Sequence, residues 1–136
     1  MHVSIATDSP ASTPSLDLFE EIRAAIVGAR AREARPDALT AADALELATL
    51  GGARVLGMDD RIGSLVPGKQ ADLTVISLVN SPFDPVEDPV TAAVLGGSPD
   101  RVTATLVAGE QRYLKGTSRW PDSTRAARSA RSRMLP

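Results

Sequence analysis

With 136 residues, the chain has room for one domain of ordinary size and not for two. Apolar residues at 43 % and charged residues at 24 % match a soluble globular composition, and a net charge of −2 speaks against a uniformly basic nucleic-acid binder. The lack of cysteine excludes disulfides, thiol catalysis and thiolate metal sites, and a single histidine, His2, excludes a zinc site built from three. No apolar run approaches the roughly 20 residues that cross a bilayer. No basic-then-apolar start marks a secretory leader, so the cytoplasm is the expected compartment.

The charge is unevenly placed. Residues 117–136 carry Arg119, Arg125, Arg128, Arg131 and Arg133 against Asp122 alone, a net +4, which leaves −6 on residues 1–116. The basic stretch has little to bury against the entropy of ordering. It reads as a solvated, disordered tail with transient helix through 124–133.

Val3-Ser4-Ile5-Ala6-Thr7 is short, alternating and rich in β-branched residues, and Asp8-Ser9-Pro10 punctuates its end: a strand running into a loop. Ser15 is a good N-cap, and Leu16, Phe19, Ile22 and Ile26 recur at helical spacing, so a helix is predicted over 16–34, ended by Pro36. Thr40 and Asp43 approximate a capping box and open a second helix that runs to about Thr49. Gly51-Gly52 should break it. A short helical turn follows, with Gly57 as its C-cap.

Beyond Gly57 the pattern turns to β. Pro67-Gly68 matches the middle of a type II turn. A strand is expected over 71–78 and a proline-rich loop over 80–89, while 90–95 reads as either a short strand or a helical turn. Residues 102–107 and 111–114 flank Ala108-Gly109-Glu110 as a β-hairpin.

This order is physically awkward. One strand followed by helices looks like a single βα unit of a parallel sheet, and such a strand needs neighbours with crossovers of their own. No second unit is present. The sequence therefore reads as the end of something larger.

That reading sharpens at Thr7-Asp8-Ser9 with Leu16-Asp17-Leu18-Phe19-Glu20-Glu21, then at Gly51-Gly52-Ala53-Arg54. It sharpens further at Gly63-Ser64-Leu65, Pro67-Gly68-Lys69 and Ala71-Asp72-Leu73. Across residues 3–115 the chain resembles the C-terminal third of the amidohydrolase superfamily. The nearest clade is that of metal-dependent aminohydrolases acting on purines, pyrimidines, nucleosides and triazines. The resemblance implies a C-terminal fragment of a (β/α)8 barrel followed by part of a small β-sandwich. Residues 1–57 would hold the last barrel strand and closing helices, 58–116 the sandwich portion, and 117–136 the basic tail.

The same resemblance places Asp8 at the C-terminal end of a barrel strand, where barrel enzymes put their chemistry. It implies that Asp8 binds a catalytic divalent metal, zinc or iron, and accepts a proton from the metal's water. The other ligands implied are histidines on earlier strands, and the implied proton shuttle is a glutamate; neither is found here. His2 lies six residues before Asp8, roughly 20 Å away if the chain is extended, too far to share a metal. The chain alone is therefore expected to bind no metal and to be inactive, and to act on a small heterocyclic substrate only when a barrel completes it.

Other readings stay open beside this one. Asp8 could be a plain loop or capping residue. Ser9 and Ser12 lack a histidine base near in sequence, which argues against a nucleophile. Lys69 sits superficially like a phosphate-loop lysine but lacks that spacing, so a turn before a strand is expected. Asp72 should cap or pair locally, Asp59-Asp60 should be a solvated turn, and His2 should be inert. The arginine tail could touch nucleic acid, though only Trp120 is placed to stack. A different class of function is a non-catalytic module whose open strand edges pair with a separate barrel chain or with further copies.

Overall fold

Asp17 begins the first helix, not Ser15. Its side chain accepts the Phe19 N–H at 2.9 Å, the N-cap position, while the predicted cap Ser15 donates its hydroxyl to Glu20. Helix α1 spans Leu18–Glu33 and ends where Ala34 turns left-handed, its N–H bonding back to the Arg30 carbonyl. Helix α2, Ala41–Glu46, opens on the capping box read from the sequence: Thr40 and Asp43 bond reciprocally. The structure is a computed structural model and describes residues 1–12, 15–115 and 117–118.

The predicted break at Gly51-Gly52 does not occur. The helix widens instead into a π turn, Leu47–Gly51, and resumes as α3, Gly52–Leu56, before Gly57 closes it in the left-handed conformation as expected. Residues 90–95 resolve as helix. Helix α4, Pro89–Gly96, starts from Asp88, whose carboxylate accepts the Val90 N–H, with proline in its first turn.

Four buried side chains join these helices: Ile22 and Ile26 from α1, Ala44 from α2 and Val94 from α4, with Ile5, Leu39, Leu45 and Leu95 around them. Arg23 locks the geometry. Its guanidinium donates to the carbonyls of Gly97 (2.8 Å) and Val94 (3.4 Å), satisfying the C-terminal end of α4 from the flank of α1.

The remaining strands form one antiparallel sheet in the order β1 (Leu73–Ile76), β2 (Val102–Val107), β3 (Glu110–Leu114) and β4 (Thr117–Ser118). Strands β2 and β3 are the expected hairpin. Both turn residues, Ala108 and Gly109, have positive φ, as a two-residue turn with matching twist requires. Backbone bonds carry the β1 pairing beyond its ends, from Gly109 to Ala71 and from Ser77 to Arg101. Strand β4 takes up residues 117 and 118, a correction to the tail expected from residue 117 onward; the rest of that tail, 119–136, lies outside the described residues.

The predicted strand 3–7 is corrected too. Among the described residues it pairs with no other strand. Its contact is with helices: the Ile5 N–H donates to the Leu47 carbonyl at 3.3 Å, and the Ile5 side chain joins the helical core. The architecture is therefore a three-helix cluster and a four-stranded sheet, an α/β unit without a barrel of its own.

Lys69 explains the most distinctive sequence block. Its ammonium donates to the Asp59 and Ile62 carbonyls and to the Ser64 hydroxyl, gathering the loop before β1 around one cation. Gly63 in that loop has φ of 86°, and a Cβ there would lie 2.6 Å from that of Ala53. Gly68 (φ 93°) makes the expected turn, with the Lys69 N–H reaching back to the Val66 carbonyl. Asp72 then caps the hairpin turn by accepting the Ala108 N–H.

Two outcomes follow. Lys69→Met strands three acceptors and should cost about 1–3 kcal/mol, read as a lower urea midpoint. The second concerns acid. The Thr40 hydroxyl and N–H hold the Asp43 carboxyl below its ordinary 3.8, Thr91 does the same for Asp88, and Arg35 for Asp37. A lowered carboxylate adds stability that is complete above the ordinary value and drains as pH falls through the lowered one. The melting temperature of Asp43→Asn should thus lie below wild type at pH 6, and the gap should close as the pH falls through the lowered value.

Candidate functional site around Asp8

Asp8 follows the N-terminal segment and is exposed. Its φ of 54° lies in the left-handed region, which aspartate tolerates better than most residues because its short side chain can bond to local backbone. Here Oδ1 accepts the Ser9 N–H at 2.7 Å. Ser9 continues the turn: its hydroxyl accepts the Ala11 N–H at 3.0 Å and its carbonyl accepts the Ser12 N–H at 2.8 Å. The Ser9 hydroxyl is thus a turn-forming acceptor. It lies beside no histidine.

His2 belongs to a different place. It lines an open groove of about 380 Å³ together with Leu47, Gly51, Asp43, Glu46 and Arg54, and Asp8 is not part of that wall. Arg54 and Glu46 form an ion pair at 2.6 Å across the wall. The two residues that the sequence suggested could not share a metal are not brought together.

A zinc centre takes three or four protein ligands. Among the described residues, no group of three or more carboxylates and imidazoles is placed to hold a metal ion. The residues present therefore do not fit a complete metal centre; Asp8 offers one carboxylate toward one.

The remaining candidates have structural work. Lys69 serves its loop and Asp72 the hairpin, while Asp59 and Asp60 lie exposed in a turn. The arginine tail and Trp120 fall outside the described residues. What the sequence reading missed is the contact between the N-terminal segment and the π turn. Its one visible signal, Gly51-Gly52, also reads as a helix breaker. Among the described residues, no helix is long and apolar enough to cross a membrane.

Known proteins share the sequence and the fold over most of this chain. The 5-methylthioadenosine/S-adenosylhomocysteine deaminase of Teredinibacter turnerae is 39 % identical over 111 residues, covering 82 % of this chain and 25 % of that protein. An adenosine deaminase from Xanthomonas campestris, solved with bound zinc, superposes with a TM-score of 0.88 at 36 % identity, covering 97 % of this chain and 30 % of that one. The atrazine chlorohydrolase of Arthrobacter aurescens, solved with zinc, gives a TM-score of 0.82 at 26 % identity over 97 % of this chain and 29 % of its own. The chain spans about a quarter of the length of the curated relatives it matches. Residues 1–112 match the amidohydrolase family, and the chain belongs to it.

Proposed function

We propose that these residues are the C-terminal portion of a metal-dependent aminohydrolase that removes the amino group of an adenine-type nucleoside, with Asp8 as its carboxylate at the reacting end of the last barrel strand. The observation that carries this reading is the superposition on a zinc-bound adenosine deaminase over nearly the whole chain. The reaction adds water to an amidine carbon and expels ammonia, leaving a carbonyl in place of the amino group. In this reading residues 1–57 close the barrel, 58–116 belong to the small β domain, and the metal is zinc or iron.

The chemistry asks for an exposed carboxylate on a fixed turn, and Asp8 is that. It also asks for ligands these 136 residues do not contain, since His2 is the only histidine and faces elsewhere. The isolated chain accordingly binds no catalytic metal and turns over no substrate. The rest of the barrel comes from further polypeptide.

A second reading is favoured by the open surface. Leu16, Val27, Leu56 and Leu65 are each more than 60 % exposed, and Val3, Ser4 and Ala6 have no backbone partner among the described residues. Such a chain could be a non-catalytic module that joins a separate barrel chain or further copies of itself.

One experiment separates these readings. The chain is co-expressed with the unmatched N-terminal part of the Teredinibacter relative, and ammonia release from adenosine, S-adenosylhomocysteine and guanine is measured beside zinc content. Activity and metal should appear only in the complemented sample. Asp8→Asn should lower turnover there by at least about a hundredfold. Turnover by the 136-residue chain alone, or full activity with Asp8→Asn, would refute the proposal. A metal-free oligomer without ammonia release would point to the module.

A further inference from the structure

A π turn takes carbonyls out of the regular helical ladder, and it persists where other donors satisfy them. Around the turn Leu47–Gly51, two carbonyls take donors from outside the ladder. The Thr49 hydroxyl donates to the Leu45 carbonyl at 2.7 Å, and the Ile5 N–H donates to that of Leu47 at 3.3 Å. The N-terminal segment meets the turn again at Gly51, where a Cβ would stand 2.9 Å from the Val3 carbonyl oxygen.

The loop before β1 rests on the same turn through other residues. A Cβ on Gly63 would stand 2.6 Å from that of Ala53, 3.0 Å from the Leu50 Cα and 3.3 Å from the Thr49 carbonyl oxygen. Two of these are backbone atoms that cannot swing aside, so the loop backbone lies directly on the helix. Lys69 holds it there. Its ammonium donates to the Ile62 carbonyl (3.3 Å) and the Ser64 hydroxyl (2.8 Å), the two neighbours of Gly63, and to the Asp59 carbonyl. The Gln70 N–H then closes the loop on the Arg61 carbonyl at 2.8 Å.

We infer that Lys69 is a positioning residue for the N-terminal segment. By holding both neighbours of Gly63, it keeps the loop on Thr49, Leu50 and Ala53. Those residues stay in the widened turn, and the turn keeps the Leu47 carbonyl at the Ile5 N–H. When the loop lifts, the turn relaxes toward a regular helix and the Leu47 carbonyl returns to its own ladder. The coupling ends at Ile5 and stands whichever functional reading holds. In the reading proposed above, the segment is the last barrel strand, so a residue of the sheet half governs the strand that a completing barrel receives.

Amide hydrogen exchange of the 136-residue chain tests this. Lys69→Met removes the donors and keeps most of the side chain's length. It should speed exchange at the Ile5 amide at least about tenfold more than at the Ile22 and Ile26 amides inside α1. Asp72→Ala serves as the control, because Asp72 belongs to the same block but bonds to the Ala108 N–H of the hairpin turn. It should leave Ile5 in step with Ile22 and Ile26. An unchanged Ile5 in Lys69→Met would overturn the inference. So would an equal change at all three amides, which reports lost global stability alone, or the same selective change in Asp72→Ala. If Lys69→Met fails to fold, the wild-type chain decides. After correction for intrinsic rates, an Ile5 amide that depends on the loop is no better protected than the Gln70 amide that closes it, and slower exchange at Ile5 would remove the dependence. No metal, substrate or turnover is read, so a failure here is distinct from a failure of the deaminase proposal.

Discussion

A peptide N–H removed from water must find an acceptor, and the Ile5 N–H finds one in a helix rather than in a strand. Much of the helical half is arranged around that fact. The Leu47 carbonyl is available where the helix widens, and the Ile5 side chain then reaches the cluster of Ile22, Ile26, Ala44 and Val94. Ala44 is fully buried, so α2 can lie close to α1 and α4 only because that position is small. Arg23 holds α4 in the matching place by bonding to the carbonyls at its end. One donor's need thus connects the segment that ends in Asp8 to three helices.

The sheet half obeys a different constraint, that of turns. The block from Gly63 to Leu73 carries part of the family resemblance, and the polar groups traced in it hold its own loop and the neighbouring turn together. Lys69 gathers carbonyls, Ser64 accepts from Lys69, and Asp72 caps the β2–β3 turn. Left-handed glycines stand where the loop reverses. A signature of this kind identifies a family through its fold, while the chemistry sits elsewhere. The distinction explains how a chain can match its family over residues 1–112 while its described residues place no group of three or more ligands to hold a metal ion.

Features written into neighbouring residues were legible in the sequence. The Thr40–Asp43 capping box, the turn at Gly68, the C-cap at Gly57 and the hairpin around Ala108-Gly109 each depend on a few adjacent residues and were read correctly. Features decided by distant contacts were not. Asp17 takes the cap while Ser15 bonds to Glu20, a choice between two competent residues that local preference cannot rank. Residues 90–95 are helical because Val94 packs against α1 and α2, which periodicity over six residues does not reveal. Gly51-Gly52 reads as a break because an isolated helix is destabilised by glycine, whereas here the missing side chain of Gly51 admits the Val3 carbonyl. Strand 3–7 has the composition of a strand, but pairing is a property of two segments and only one is present.

The candidate site divides along the same line. Nothing in the residues around Asp8 distinguishes a reacting aspartate from a turn former, and the structure shows the turn former: its Oδ1 holds the Ser9 N–H, and its left-handed φ makes the turn. Resemblance alone singled it out. The structure adds a physical reason for an aspartate at that position. The residue must adopt a conformation costly for most side chains while keeping a carboxylate exposed, and aspartate does both with one short side chain. Asparagine would accept the same local bond and tolerate the same backbone, but it carries no charge. The turn could therefore survive that exchange while any chemistry that depends on the anion could not.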